Sequence, residues 1–158
     1  QNITRESEEK HGGSFSAKQT NTTGSYKRLI QNIPGTTVGE SYTVSFWYNI
    51  APDAGSDVKM WSNFRDSDGA FLDGTTDDII LDVNGNAWTK YEETVTAPDT
   101  SVKFWFELRT YNNTTVYFDD FSFVRNPFTW TGAANSNYND AENWSTNVVP
   151  NVNYDVII

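Results

Sequence analysis

From Ser14 to Val124 apolar and polar residues alternate in short runs bounded by Gly, Pro, Asn and Asp. No stretch of helical length repeats apolar residues at i, i+3 and i+4, so the pattern predicts strands. The predicted strands are Ser14–Thr20, Tyr26–Ile33, Tyr42–Ile50, Val58–Arg65, Ile79–Val83, Thr89–Ala97, Val102–Thr110 and Val116–Val124. Between them lie Pro34-Gly35, Asp53-Ala54-Gly55, Asp68-Gly69, Asn84-Gly85 and Asn112-Asn113, residue types that accept tight turns or left-handed backbone. About eight short strands at this spacing suggest an all-β, antiparallel β-sandwich of the jelly-roll type.

Neighbouring residues of a strand point to opposite sides, so parity separates core from surface. In the third predicted strand Tyr42, Val44, Phe46 and Tyr48 share one side, leaving Ser45, Trp47 and Asn49 on the other. In the fourth, Val58, Met60 and Phe64 oppose Lys59, Trp61, Asn63 and Arg65. In the seventh, Val102, Phe104, Phe106 and Leu108 oppose Lys103, Trp105, Glu107 and Arg109. Each strand carries a Trp in the middle of its polar side. A flat indole stacks on the apolar face of a pyranose while amide, carboxylate and cationic neighbours bond its polar groups, so these residues form a candidate glycan platform. Gln31 is expected to join it from the second strand. Lys59, Arg65, Lys103 and Arg109 make the platform basic and favour an acidic or sulfated polysaccharide. Covering of the Trp side chains by other parts of the protein, and pairing of the cations with Glu107 or Glu92, are the structural alternatives.

After Asn126 the texture becomes Asn-rich, with isolated aromatics at Phe128, Trp130 and Trp144 and a last apolar run, Asp155-Val-Ile-Ile158. Pro127 marks the change, and two parts are expected: a sandwich over 1–125 and a tail, or the start of a second module, over 126–158.

Charge and composition narrow the function classes. A formal net charge of -10 argues against nucleic acid, which requires clustered Lys and Arg. No apolar run is long enough to span a bilayer, so membrane insertion is not expected. Cysteine is absent, which removes disulfide frameworks and thiolate metal sites. The single histidine, His11, stands between Lys10 and a Gly pair, and no nucleophile elbow or His-x-x-x-His pair occurs, so an enzyme is not expected. The chain opens without Met or a leader segment and reads as part of a longer secreted or cell-surface protein. Asp119-Asp120 offers hard oxygen ligands for calcium. Asp66-Ser-Asp68-Gly69 and Asp73-Gly74 lack calcium-loop spacing and are read as turns.

The run His11-Gly-Gly-Ser-Phe-Ser-Ala-Lys18, then Gln31, Gly39-Glu-Ser-Tyr42-Thr-Val-Ser-Phe-Trp47, Trp88-Thr-Lys-Tyr91, Thr96-Ala-Pro98 and Val116-Tyr-Phe-Asp119-Asp-Phe-Ser-Phe123 resembles the β-sandwich carbohydrate-binding modules of families four, nine, sixteen and twenty-two. The resemblance covers roughly Thr4 to Val124. It implies glycan bound on the concave face of one sheet, in a cleft near Trp47, Asn49, Trp61, Asn63, Trp105 and Gln31. It also implies a structural Ca2+ held by Asp119 and by main-chain oxygen around Lys10. Members usually begin with a strand carrying a Phe-Glu pair that this chain lacks, which leaves one sheet edge expected to be unpaired. The tail, from Trp130-Thr-Gly132 through Asn143-Trp-Ser145 to Pro150 and Ile158, is similar to the start of a repeat in large exported proteins of Bacteroidetes. The resulting expectation is a non-catalytic carbohydrate-binding module that targets its parent to polysaccharide, with other modules of the same chain as neighbours. The alternative is a structural spacer or protein-interaction sandwich of a large adhesin.

Overall fold

The computed structural model describes residues 3–51, 58–72, 78–81, 86–150 and 156–158. The predicted turns at Asp53-Ala54-Gly55, Asp73-Gly74 and Asn84-Gly85 lie outside the described residues. Two antiparallel five-stranded sheets form the molecule. The first has the order β1 (Ile3–Glu6), β2 (Ser16–Asn21), β10 (Thr114–Arg125), β4 (Ser41–Ile50), β8 (Thr89–Thr96). The second runs β3 (Lys27–Pro34), β9 (Lys103–Thr110), β5 (Val58–Met60), β7 (Ile79–Leu81), with β6 (Asn63–Arg65) also paired to β9. The chain passes back and forth between the sheets, which makes the sandwich a jelly roll. β5 and β6 share one register on β9, and Trp61 N–H still donates to Glu107 O between them at 2.8 Å.

The alternation predicted from sequence forms the core. Tyr42, Val44, Phe46, Tyr48 and Ile50 of β4 meet Val58, Met60 and Phe64 and then Phe104, Phe106 and Leu108, all at most 5% exposed. Phe46 is central, stacked on Tyr91 at 5.1 Å and edge-on to Phe106 at 5.7 Å. Each large side chain buried this way contributes about 1.5–3 kcal/mol, and together they fix which side of every strand faces outward. A polar tie closes one end: Thr110 Oγ1 donates to Gln19 Oε1 at 2.6 Å, and Asn21 Nδ2 donates to Thr110 O at 2.7 Å.

In β10 the register against β4 shifts between Asp119 and Ser122, a bulge accommodated by Asp120 at φ 49°. β2 pairs with β10 only as far as Phe118.

The described residues between 126 and 158 join neither large sheet. β11 (Phe128–Thr129) pairs in parallel with β12 (Val156–Ile157), a single 3-10 turn spans Ala141–Asn143, and Trp130 bridges to Trp144. Phe128 and Trp144 are the buried anchors of this part, at 1% and 2% exposure. The segment is tied to the sandwich by Asn126 N–H donating to Ser41 O and by Thr43 Oγ1 donating to Asn126 Oδ1, each at 2.8 Å.

Candidate functional site

The outer face of the second sheet is built by strand pairing. Across β5–β6, β9 and β3 the outward residues fall into four rows: Lys59, Arg109, Arg28; Trp61, Glu107, Ile30; Asn63, Trp105, Asn32; and Arg65, Lys103, Pro34. Five of the chain's eleven Lys and Arg residues therefore share this face with two tryptophans.

Contacts along the rows hold the side chains in place. The Arg109 guanidinium lies 3.9 Å from the Trp61 ring centre and 4.7 Å from that of Tyr26. Arg65 sits between Phe71 at 3.9 Å and Trp105 at 4.7 Å, with Nη1 donating to Gly69 O at 2.8 Å. Glu107 is the hub: its Oε2 accepts from Trp105 Nε1 at 2.7 Å and its Oε1 from Arg109 Nε at 2.6 Å. Though on an outward face, Glu107 is only 2% exposed, because the indole and guanidinium cover it. Burial, the largest single influence, pulls the Arg109 pKa down, but Glu107 and Tyr111 together outweigh it and raise it above the ordinary value. Burial lowers that of Arg65, with Glu107 acting the other way. Lys59 is paired with Asp78 at 3.0 Å. Lys103, Arg28 and Arg65 have no carboxylate partner among the described residues. The buried Asn63 Oδ1 and Arg65 Nε also lack hydrogen bonds within the protein.

Lys59, Trp61, Asn63, Arg65, Lys103, Trp105, Glu107 and Arg109 thus stand together as parity predicted. Trp47 and Asn49 do not join them. β4 belongs to the first sheet, and the outward faces of a sandwich point in opposite directions. Parity tells which side of a strand is exposed, but not which sheet the strand enters. Trp47 is covered by the N-terminal loop: the His11 ring lies on it at 3.7 Å and 13°, with Trp88 edge-on to His11 at 5.9 Å. Asn49, 1% exposed, donates from Nδ2 to Glu9 Oε2 at 3.2 Å.

Gln31 is a second correction. It pairs with the inward-facing Phe106, so it points to the interior side of β3, an edge strand. There it lines a cavity of about 200 Å³ at the side of the sandwich with Ile33, Phe121 and Phe123. The outward residues of β3 are Arg28, Ile30 and Asn32, which sequence reasoning missed. The alternation Tyr26, Arg28, Ile30, Asn32 was available, but Ile30 on the polar side blurred it.

Asp119, the expected calcium ligand, is engaged by three main-chain amides. Asp119 Oδ2 accepts from His11 N–H at 2.9 Å and from Gly12 N–H at 3.1 Å, and Oδ1 accepts from Asp120 N–H at 2.9 Å. Lys10 Nζ donates to Ser7 O at 2.6 Å. Among the described residues no group of three or more His, Cys, Asp and Glu side chains is arranged to hold a metal ion. What Asp119 holds is the N-terminal loop, assisted by Asp120 Oδ2 paired with His11 Nδ1 at 2.8 Å. Asp66-Ser-Asp68-Gly69 is a turn, its Asp66 Oδ1 accepting from Asp68 N–H and Ala70 N–H.

A jelly roll bearing an aromatic and polar outer face belongs to a known class of binding domains. The model of the Carbohydrate binding domain family matches residues 2–115, so the chain belongs to that family, whose members are non-catalytic modules. Among solved structures it is similar to a Family 16 Carbohydrate Binding Module-2, with 18% identity, a TM-score of 0.60, and coverage of 78% of this chain and 85% of the other. It is similar also to the CBM22-1 xylan-binding domain of Xyn10C from Paenibacillus barcinonensis, at 16% identity and a TM-score of 0.57, covering 78% and 80%. A third similarity is to the enzymatically active domain of tailspike protein 4 of Bacteriophage CBA120, at 13% identity and a TM-score of 0.68. There 78% of this chain matches only 18% of the other. At these identities the likeness concerns the fold. None of the curated proteins compared with the chain matches it. No helix among the described residues is long and apolar enough to cross a membrane.

Proposed function

We propose that this carbohydrate-binding domain takes polysaccharide on the outer face of the second sheet, and that it favours acidic chains. The observation that carries the reading is the placement of five cations around Trp61 and Trp105 on one face of a chain with net charge -10. Stacking on an indole supplies affinity for any pyranose. Guanidinium groups already lying against the rings meet a carboxylate or sulfate attached to a stacked sugar. In a secreted or surface parent such a domain holds neighbouring modules of the same chain near their polysaccharide.

The test is a panel of neutral and acidic polysaccharides on affinity gels, with Trp105→Ala, Trp61→Ala and Trp47→Ala. Acidic polymers are expected to bind, weakening with added salt. Trp105→Ala is expected to lower affinity at least about tenfold, since each stacked ring contributes on the order of 1–2 kcal/mol. Trp47→Ala is expected to leave binding within about twofold, its ring being on the other sheet and under His11.

A second reading, a spacer or protein-interaction sandwich, is favoured by one observation: Arg109 and Arg65 already cover one side of each indole. It predicts no binding anywhere on the panel.

A further inference from the structure

Beyond the matched family region, residues 126–158 contain an aromatic constellation that neither the sandwich nor its face uses. Trp130 and Tyr138 have nearly parallel rings, 10° apart with centres 6.3 Å from one another. Trp144 stands edge-on to both, at 75° and 80°. Trp144 is 2% exposed and serves as the floor, whereas Tyr138 is 46% exposed. A cavity of about 230 Å³ is lined by the three rings together with Ser136 and Ile158.

The loop that presents these rings is rigidly held. Asn143 is fully buried at its centre: Oδ1 accepts from Ala134 N–H and Asn135 N–H, each at 2.9 Å, and Nδ2 donates to Asn135 Oδ1 and Asn137 O, each at 3.0 Å. Trp144 Nε1 donates to Tyr138 O at 2.9 Å, which locks the backbone beneath the exposed ring. A concave aromatic wall on a prearranged loop loses little entropy on binding. Rings 6.3 Å apart leave no room for another ring between them, so a ligand lies on the step they form. Residues 126–158 include no Lys, Arg or His, and Asp140 and Glu142 lie in the same loop. An anionic ligand has no counter-charge here.

We propose that Trp130, Tyr138 and Trp144 form a second binding site, for a neutral glycan that stacks a pyranose over the Trp130–Tyr138 step. It is independent of the site on the second sheet and opposite to it in charge preference.

The experiment is an NMR titration of the full chain with cellohexaose, xylohexaose, mannohexaose and β-1,4-galactohexaose, following the indole N–H of Trp130. Wild type and Trp105→Ala are expected to show the same saturable shift, with a Kd on the order of 1 mM. Tyr138→Ala keeps the main-chain carbonyl bonded to Trp144 and is expected to weaken binding at least about fivefold. The proposal is overturned if none of the four moves the Trp130 signal in wild type, or if Tyr138→Ala binds as wild type does. Loss of the shift in Trp105→Ala, with Tyr138→Ala unaffected, would assign neutral glycan to the sandwich face alone.

Discussion

Trp47 and Trp105 hold the same place in the sequence pattern, mid-strand on the polar side, yet they occupy opposite faces of the molecule and different surroundings. Around Trp47 the covering is a side chain whose own loop is fixed: the His11 ring lies flat on the indole, and Asp119 grips the His11 and Gly12 amides. Around Trp105 the covering is side chain only, with Arg65 on the ring and Glu107 at its Nε1. Removing a loop from a ring means breaking a network tied to the backbone. Moving a guanidinium aside means rotating one flexible side chain. The cover on Trp47 is tied into the fold, whereas that on Trp105 consists of charged side chains.

The largest expected effect tests what holds the second face. Glu107→Ala leaves Arg109 without its buried carboxylate partner and is expected to destabilise the domain by about 3–5 kcal/mol in urea unfolding. Glu107→Gln, which keeps an acceptor for Trp105 Nε1, should lose less. Equal losses would show that the hub acts through charge alone. On the first face Asp119→Ala is expected to cost about 1–2 kcal/mol, because amide donors lose a charged acceptor. The same variant should speed exchange of the His11 and Gly12 amides by at least tenfold, and unchanged exchange would show that the loop is held by the His11 ring instead.

The smallest effect concerns the interior that both faces share. Burial, with help from Glu93, raises the pKa of the Tyr91 phenol, and burial raises that of Tyr42. A raised folded-state pKa gives stability that is fully present below about pH 10, the unfolded value, and is lost as pH rises beyond it. Absorbance at 295 nm should show these two phenols ionising only with alkaline unfolding. Ionisation of either phenol before unfolding would contradict this burial.

The eight predicted strands were readable because each buries one side against the same core, and period two records that burial residue by residue. Val58–Arg65 appears as two strands, β5 and β6, yet its register on β9 is unbroken. Ile3–Glu6 was not predicted, since its ITRE sequence is too short and polar to show alternation. The site was legible wherever its residues lie on β5, β6 and β9. Gln31 was misplaced because Ile30 blurs the local alternation of its strand, whereas Trp47 and Asn49 were misplaced because the assignment of strands to sheets depends on pairing between distant segments. That information is nonlocal, and no periodicity within one strand contains it. Glu107 was selected as a ligand contact, but its burial beneath Trp105 and Arg109 makes it the support of the face instead.

The clustering of Lys59, Arg65, Lys103, Arg109 and Arg28 on one side of an otherwise strongly acidic chain also makes the molecule an electric dipole. If the proposed acidic polysaccharide is the ligand, a torque acts on the molecule in front of it before any contact forms, turning the tryptophan face forward and the acidic remainder away. Orientation would then be set within about one Debye length, roughly 8 Å at physiological ionic strength, so that encounters begin with the ring-bearing side and added salt slows capture first.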